Sequence, residues 1–152
     1  MFILRRCTAI SKFYSNGIDS LAAELKKIGQ LDNDELVGEM LSAGAEVVKD
    51  EWIKGVQKAV KNKDRRSKGE LEESIQVSRK VEKLQNISAK TVSPAGKDSK
   101  GVRNAEKAFI LHYGKSGQPA TLFVDDVETA AEEKAAEKMQ EVFNDYMERE
   151  GL

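Results

Sequence analysis

Residues 108–124, A-F-I-L-H-Y-G-K-S-G-Q-P-A-T-L-F-V, constrain the fold more than any other stretch of this chain. A compact apolar run, Ala108 to Tyr113, breaks on Gly114 and Gly117 and resumes after Pro119 with Leu122, Phe123 and Val124. Glycine tolerates backbone angles that other residues resist, whereas proline fixes one dihedral and donates no N–H to a strand ladder. The combination predicts a stiff elbow built on Gly114, Gly117, Pro119 and Phe123. Such an elbow lays the last helix back across whatever the apolar run packs on, and the rest of the chain has to supply that surface.

The helix beyond the elbow is predicted over about 122–149. Val124, Val127, Ala131, Ala135, Met139, Val142 and Tyr146 fall on one stripe at helical spacing, flanked by Phe123, Phe143 and Met147. Asp125 and Asp126 stand in its first turn, where the helix dipole favours negative charge. A second amphipathic helix is predicted over about 34–61. Its apolar positions, from Leu36 and Val37 through Trp52 to Val56 and Val60, recur every three or four residues. Gly38, Gly44 and Gly55 weaken it by about 1 kcal/mol each relative to alanine, so their expected use is close approach of a neighbouring backbone.

Shorter elements fill the intervals. Ile10, Phe13 and Tyr14 suggest a strand over 9–16 that turns at Asn16-Gly17, and Asp19 or Ser20 can cap a helix carrying Leu21, Ala22, Leu25 and Ile28 that stops at Gly29. Gly69 to Ser74 fits one helical turn with Leu71 and Ile75 facing inward. Between Ile75 and Val92 the apolar residues alternate imperfectly, as two antiparallel strands joined near Gln85-Asn86 would. Residues 93–105 have no periodicity and read as an exposed, mobile loop or hairpin tip. The expected class is α+β: N-terminal helices and a long C-terminal helix packed on a small antiparallel sheet, with an extended basic loop or hairpin. A length of 152 residues suits a single domain, with residues 1–9 as an irregular arm.

Cys7 is the sole cysteine, so no disulfide or cysteine-based metal site can form within one chain, which fits a reducing compartment. Met1 to Leu4, followed by Arg5 and Arg6, is too short for a signal peptide, and no run approaches the ~18–20 apolar residues of a membrane span. The expectation is a soluble protein made in the cytoplasm, without a membrane partner.

Charge is unevenly spread although the net value is −1. Residues 1–53 carry 6 basic and 9 acidic side chains, 54–107 carry 15 and 7, and 122–152 carry 3 and 10. A basic middle and an acidic end suit contact between copies, or with an anionic partner on one face, or simply two solvated surfaces.

Catalytic chemistry finds little footing. His112 is the only histidine, and inside an apolar run it reads as a packed residue bonding a carbonyl rather than as a base. Ser116 lies in turn composition without the strand-to-helix elbow of a nucleophile, and G-K-S-G lacks the glycine spacing of a phosphate-binding loop. The pairs Glu72-Glu73, Asp125-Asp126 and Glu132-Glu133 are adjacent in sequence, so each splays around its helix. No enzyme, no cofactor and no metal site is expected. Two basic clusters, Lys61, Lys63, Arg65, Arg66 and Lys68, then Lys97, Lys100 and Arg103, can face an interface or DNA. Phosphate contact needs only such charge, but neither cluster carries an aromatic side chain for base stacking, and solvated loops are the favoured reading.

The order of these elements resembles the tail-completion, or head–tail joining, proteins of long-tailed, lambdoid-type siphophages. An N-G-hydrophobic-acid-x-L opening is similar to Asn16-Gly17-Ile18-Asp19-Ser20-Leu21. A T-G-x-L-x-x-S-I-like turn after the long helix is similar to Ser67-Lys68-Gly69-Glu70-Leu71-Glu72-Glu73-Ser74-Ile75. A Y-x-E-F-G-T-(few)-P-A-x-P-F segment is similar to residues 111–123, with His112 in place of glutamate, Lys115 in place of threonine and Leu122 in place of a second proline. The resemblance covers about residues 10–150. It implies a virion structural protein of the phage neck, made in the host cytoplasm, that forms a homo-oligomeric ring, a hexamer, between connector and tail tube. Its partners would be further copies, the connector or stopper, the tail terminator and the tail tube, with non-specific contact to DNA in the channel. A tail terminator ring and a cytoplasmic nucleic-acid-binding accessory protein are the alternatives.

Overall fold

The apolar positions between Leu36 and Val60 wind into one 29-residue helix, α1 (Asn33–Lys61), with Asp34 and Glu35 in its first turn. At 1.5 Å per residue it is about 43 Å long, and it is the element on which the others are laid. The computed structural model describes residues 29, 33–61, 69–84 and 87–152, of which Asn33–Gly151 form one compact unit. The expected arm over 1–9, the strand over 9–16 and the helix through Ile28 lie outside the described residues, as do Lys63, Arg65, Arg66 and Lys68. Gly29, the expected end of that helix, is helical, and the residues on either side of it lie outside the described ones.

Gly69 takes a left-handed φ of 78° and opens a single turn, α2 (Glu70–Glu73). The Glu73 N–H reaches the Gly69 carbonyl at 3.0 Å, and the Ser74 hydroxyl donates to the Leu71 carbonyl at 2.7 Å. The turn buries Leu71 and delivers Ile75 to the core, as the sequence predicts.

Four short strands follow: β1 (Ile75–Val77), β2 (Glu82–Leu84), β3 (Ile87–Ala89) and β4 (Val92–Pro94). β1 pairs antiparallel with β4, Ile75 opposite Pro94, and β2 pairs antiparallel with β3, Glu82 opposite Ala89. The expected antiparallel pairing is present, but its ladder is split in two; the expected junction near Gln85-Asn86 lies outside the described residues. The Ser78 N–H still donates to the Thr91 carbonyl at 2.8 Å; beyond it, Arg79, Lys80 and Val81 stand against Lys90 alone. The Ser78 hydroxyl donates to the Lys80 carbonyl at 3.1 Å and accepts the Thr91 N–H at 3.1 Å. Extra residues on one strand interrupt pairing and bend it, as a bulge does.

The apolar run before the elbow is a helix, α3 (Asn104–Tyr113), and the last element is α4 (Phe123–Arg149). Contacts between α1 and α4 run in opposite directions along the two chains: Lys58 with Asp126 (3.7 Å), Glu51 with Lys134 (2.9 Å) and Glu39 with Arg149 (3.6 Å). The helices are therefore antiparallel over nearly their whole length. Val56, Ala59, Leu71, Ile75, Ala108, Leu111, Phe123 and Val127 form the main core, with Trp52 and Val92 packed against it.

The class is α+β, with helices predominating. Within it the C-terminal helix has α1 as its principal partner, and only its first turns share a core with the strand residues Ile75 and Val92. Its apolar stripe is long enough to match a 29-residue helix and far too long for strands of three residues. No described helix is long and apolar enough to cross a membrane.

Candidate assembly surface around the elbow

The elbow is a chain of backbone bonds. The end of α3 leaves carbonyls without helical partners, and the segment after Pro119 satisfies them. The Thr121 N–H donates to the carbonyls of Leu111 (3.2 Å) and His112 (3.1 Å), the Leu122 N–H donates to His112 O (3.1 Å), and the Thr121 hydroxyl donates to Leu111 O (2.6 Å). Between them Lys115 and Gln118 exchange two backbone bonds, 2.9 and 2.8 Å, around Ser116-Gly117. Gly114 has φ 80°, and a Cβ there would stand 2.6 Å from Gln118 O and 2.7 Å from Ala120 N. Backbone cannot give way as a side chain does, so the position accepts only glycine. Gly117 also has a positive φ, 78°, in open space.

Leu122 precedes α4 at φ 51°, the sole described non-glycine residue with positive φ. An L-residue in this region is strained by about 1–2 kcal/mol, and a proline cannot adopt the angle at all. Leucine at this position is therefore compatible with an elbow that the family-like second proline would forbid.

His112 is buried at 7% exposure, edge-on to both Tyr113 and Phe123. Its Nδ1 faces the Val124 N–H at 3.4 Å, a donor of the first turn of α4, and its Nε2 lies 3.9 Å from Asp125 Oδ1. The histidine is packed, as predicted, but it bonds an N–H and not a carbonyl, because the free groups beside it belong to a helix start. Phe123 is buried in the core with its ring 5.3 Å from that of Trp52. Pro119 and Ser116 are exposed. Among the described residues no group of three histidine, cysteine or carboxylate side chains is placed to hold a metal ion.

Two features here were not legible as separate things in the sequence. Phe109 and Tyr113 point outward from α3 at 61% and 60% exposure, their ring centroids 4.7 Å apart, while Ala108, Leu111 and His112 point inward. The i, i+4 spacing of the two aromatics is the signal that places them on one face; six consecutive apolar or aromatic positions concealed which face was core. The second feature is a groove of about 390 Å³ between α1 and the start of α4. Gly55, Ala59, Ala120 and Ala130 line it with small side chains over Phe123 and Val127, and Lys54, Lys58 and Asp126 stand at its edge.

Charge is arranged around this region. Lys97, Lys100 and Arg103 are exposed on the turn between β4 and α3, and Lys97 bridges Arg103 through the backbone. Asp98 holds that turn: its Oδ1 accepts the N–H groups of Lys100 (2.9 Å) and Val102 (2.8 Å), and Oδ2 pairs with Lys107. The Lys107 ammonium, with the two backbone donors, keeps the Asp98 carboxyl below its ordinary range. The first basic cluster lies outside the described residues except Lys61, the last residue of α1, so the two basic clusters are not seen together. Opposite in sign, Glu128, Glu132, Glu133, Glu137, Glu141, Asp145 and Glu148 are all exposed on α4. Glu51 is the buried exception on α1. Its Oε1 accepts from Lys134 at 2.9 Å and from Lys54 at 2.8 Å, and these bonds, Lys134 first, hold its carboxyl below the usual range.

A family model described as bacteriophage HK97-gp10, putative tail-component, matches residues 19–114, more than half of the chain. No curated protein and no solved structure matches the chain significantly.

Proposed function

The chain belongs to the HK97-gp10-like family of bacteriophage tail components, and from that premise we propose that it is a tail-completion, or head–tail joining, subunit. In this reading it is a structural protein of the virion neck that forms a ring between connector and tail tube. The observation that carries the reading is the division of charge between two exposed regions: the basic turn with Lys97, Lys100 and Arg103, and the acidic outer face of α4. Copies related head to tail bring unlike regions together, and such heterologous contacts close into a ring when the rotation between copies fits.

The ring number that the resemblance implies is six. Connector or stopper, tail terminator and tail tube are the neighbours this position supplies. The exposed lysines of the basic turn suit contact with passing DNA through phosphate alone, without reading sequence. The role needs rigid placement rather than chemistry, so the subunit acts without catalysis or cofactor.

The test is electron microscopy of lysates from a phage lacking this gene. DNA-filled heads and separate tails of normal length are expected, joined into infectious particles when the purified protein is added. Normal virions without the gene would contradict the proposal, and tail tubes of uncontrolled length would favour a tail terminator instead.

A further inference from the structure

The solvent side of α3 is a surface in its own right. Ala105, Glu106, Phe109 and Tyr113 recur at helical spacing and are all exposed, while Ala108, Leu111 and His112 on the other side are buried. Phe109 and Tyr113, one turn apart and more than half exposed, make a rigid apolar knob. Half-exposed Leu122 adjoins the end of the helix, its N–H bonded to the His112 carbonyl. Exposed aromatic pairs of this kind serve as anchors of protein contacts, since they supply much apolar area with few torsions to freeze. One acid and one base flank the knob, Glu106 before it and Lys115 after it, both exposed. Lys107 close by is taken by Asp98, whereas Glu106 and Lys115 have no ion-pair partner among the described residues.

This face is its own complement. When two copies of a helix lie antiparallel about a two-fold axis, each residue stands opposite the one equally far beyond the axis. The midpoint between Phe109 and Tyr113 falls at Leu111, and that between Glu106 and Lys115 falls between Ile110 and Leu111. A single register therefore sets Phe109 against Tyr113 and Glu106 against Lys115, each of them twice. The same arrangement carries the two basic turns, with Lys97, Lys100 and Arg103, to opposite ends, where a parallel one would set like charges side by side. Nucleic acid suits the face less well, because the Glu106 carboxylate stands on it. We infer that a second copy of this chain covers α3, in a two-fold contact that crosses the aromatic pairs and joins Glu106 of each copy to Lys115 of the other. Four rings already more than half exposed remove on the order of 400–600 Å², against roughly 1,200–2,000 Å² in a stable interface. The contact is thus a weak one, populated at high concentration. It differs from the head-to-tail contact of a ring in that both copies use the same patch, and it does not occupy the acidic face of α4.

Sedimentation equilibrium of the full-length protein tests the pairing. Phe109→Asp, at an exposed site, is expected to leave the melting temperature unchanged and to weaken the dimer at least about 30-fold, the value of one hot-spot residue. Glu106→Lys and Lys115→Glu, each alone, set like charges opposite one another twice, and each is expected to weaken it about tenfold. Mixing these two variants restores both opposite-charge pairs, so the mixture is expected to regain the affinity of the unchanged protein. Loss in the single variants without recovery on mixing, or association indifferent to all three substitutions, overturns the two-fold contact while the ring reading stands. A chain that stays monomeric at every concentration overturns both.

Discussion

Gly55 and Gly44 lie about three turns apart on α1, and both turn the place of a missing Cβ toward α4. At Gly55 that Cβ would stand 2.5 Å from Cγ2 of Val127 and 3.4 Å from Cδ2 of Phe123. At Gly44 it would stand 2.9 Å from Sδ and 3.0 Å from Cγ of Met139. The distances are similar but the neighbours are not. Val127 is β-branched, buried, and held by α1 and α4 together with the core from α2, β1 and α3. Met139 is half-buried and unbranched, and the missing Cβ of Gly44 meets the flexible end of its side chain. One end of the helix pair is a junction of five elements; at the other an adaptable side chain lies between the two helix backbones. The groove and the aromatic knob both belong to the junction, the end whose geometry is fixed by packing.

Breaking the junction at its tightest backbone point has the largest expected effect. Gly114→Ala combines a positive φ with a methyl group inside backbone contact distance, and a loss of about 3 kcal/mol or more is expected in denaturant unfolding. Gly55→Ala overpacks a site that cannot yield, and a loss of about 1–3 kcal/mol is expected. Gly44→Ala sharpens the comparison: Met139 can change rotamer, alanine gains about 1 kcal/mol of helix propensity, and a net change within about 0.5 kcal/mol is expected. Equal losses at the two glycines would remove the distinction between the ends.

The smallest effect concerns Glu51, which joins the two helices between these points. Its carboxyl is held below the ordinary range in the folded state by Lys134 and Lys54. A folded value below the unfolded one gives stability that is present above the unfolded value and disappears as pH falls through the folded one. Both lysines are largely exposed, so the gain is screened and modest. The melting temperature of Glu51→Gln is expected to lie slightly below that of the unchanged protein near neutral pH, with the gap closing below about pH 4. A gap that widens on acidification would reverse the assignment.

The two long helices were legible because their stripes run for many turns, which fixes the period beyond doubt. The one-turn helix that buries Leu71 and delivers Ile75 was legible for another reason: Gly69 marks a start that few residues other than glycine can make. The class of the run before the elbow was not legible, since six apolar or aromatic positions in succession, from Ala108 to Tyr113, fit either period. For the same reason its outward face, Phe109 and Tyr113, was hidden. Nor does a local pattern reveal long-range pairing: Glu51 and Lys134 are 83 positions apart, and the choice of α1 over the strands as the bed of α4 depends on element lengths. Ser78 to Val81 read as strand by alternation, yet the hydroxyl of Ser78 bonds its own backbone neighbour and splits the ladder. Leu122 breaks a local preference that only the bonded elbow enforces.

Sedimentation velocity of the purified chain, over a range of concentration and at low and high salt, tests most directly whether opposite charge on two exposed regions makes this protein a self-assembling subunit. Species at multiples of 16.9 kDa, growing with concentration and retreating as salt screens the charges, are predicted. A single 16.9 kDa species under every condition would contradict it.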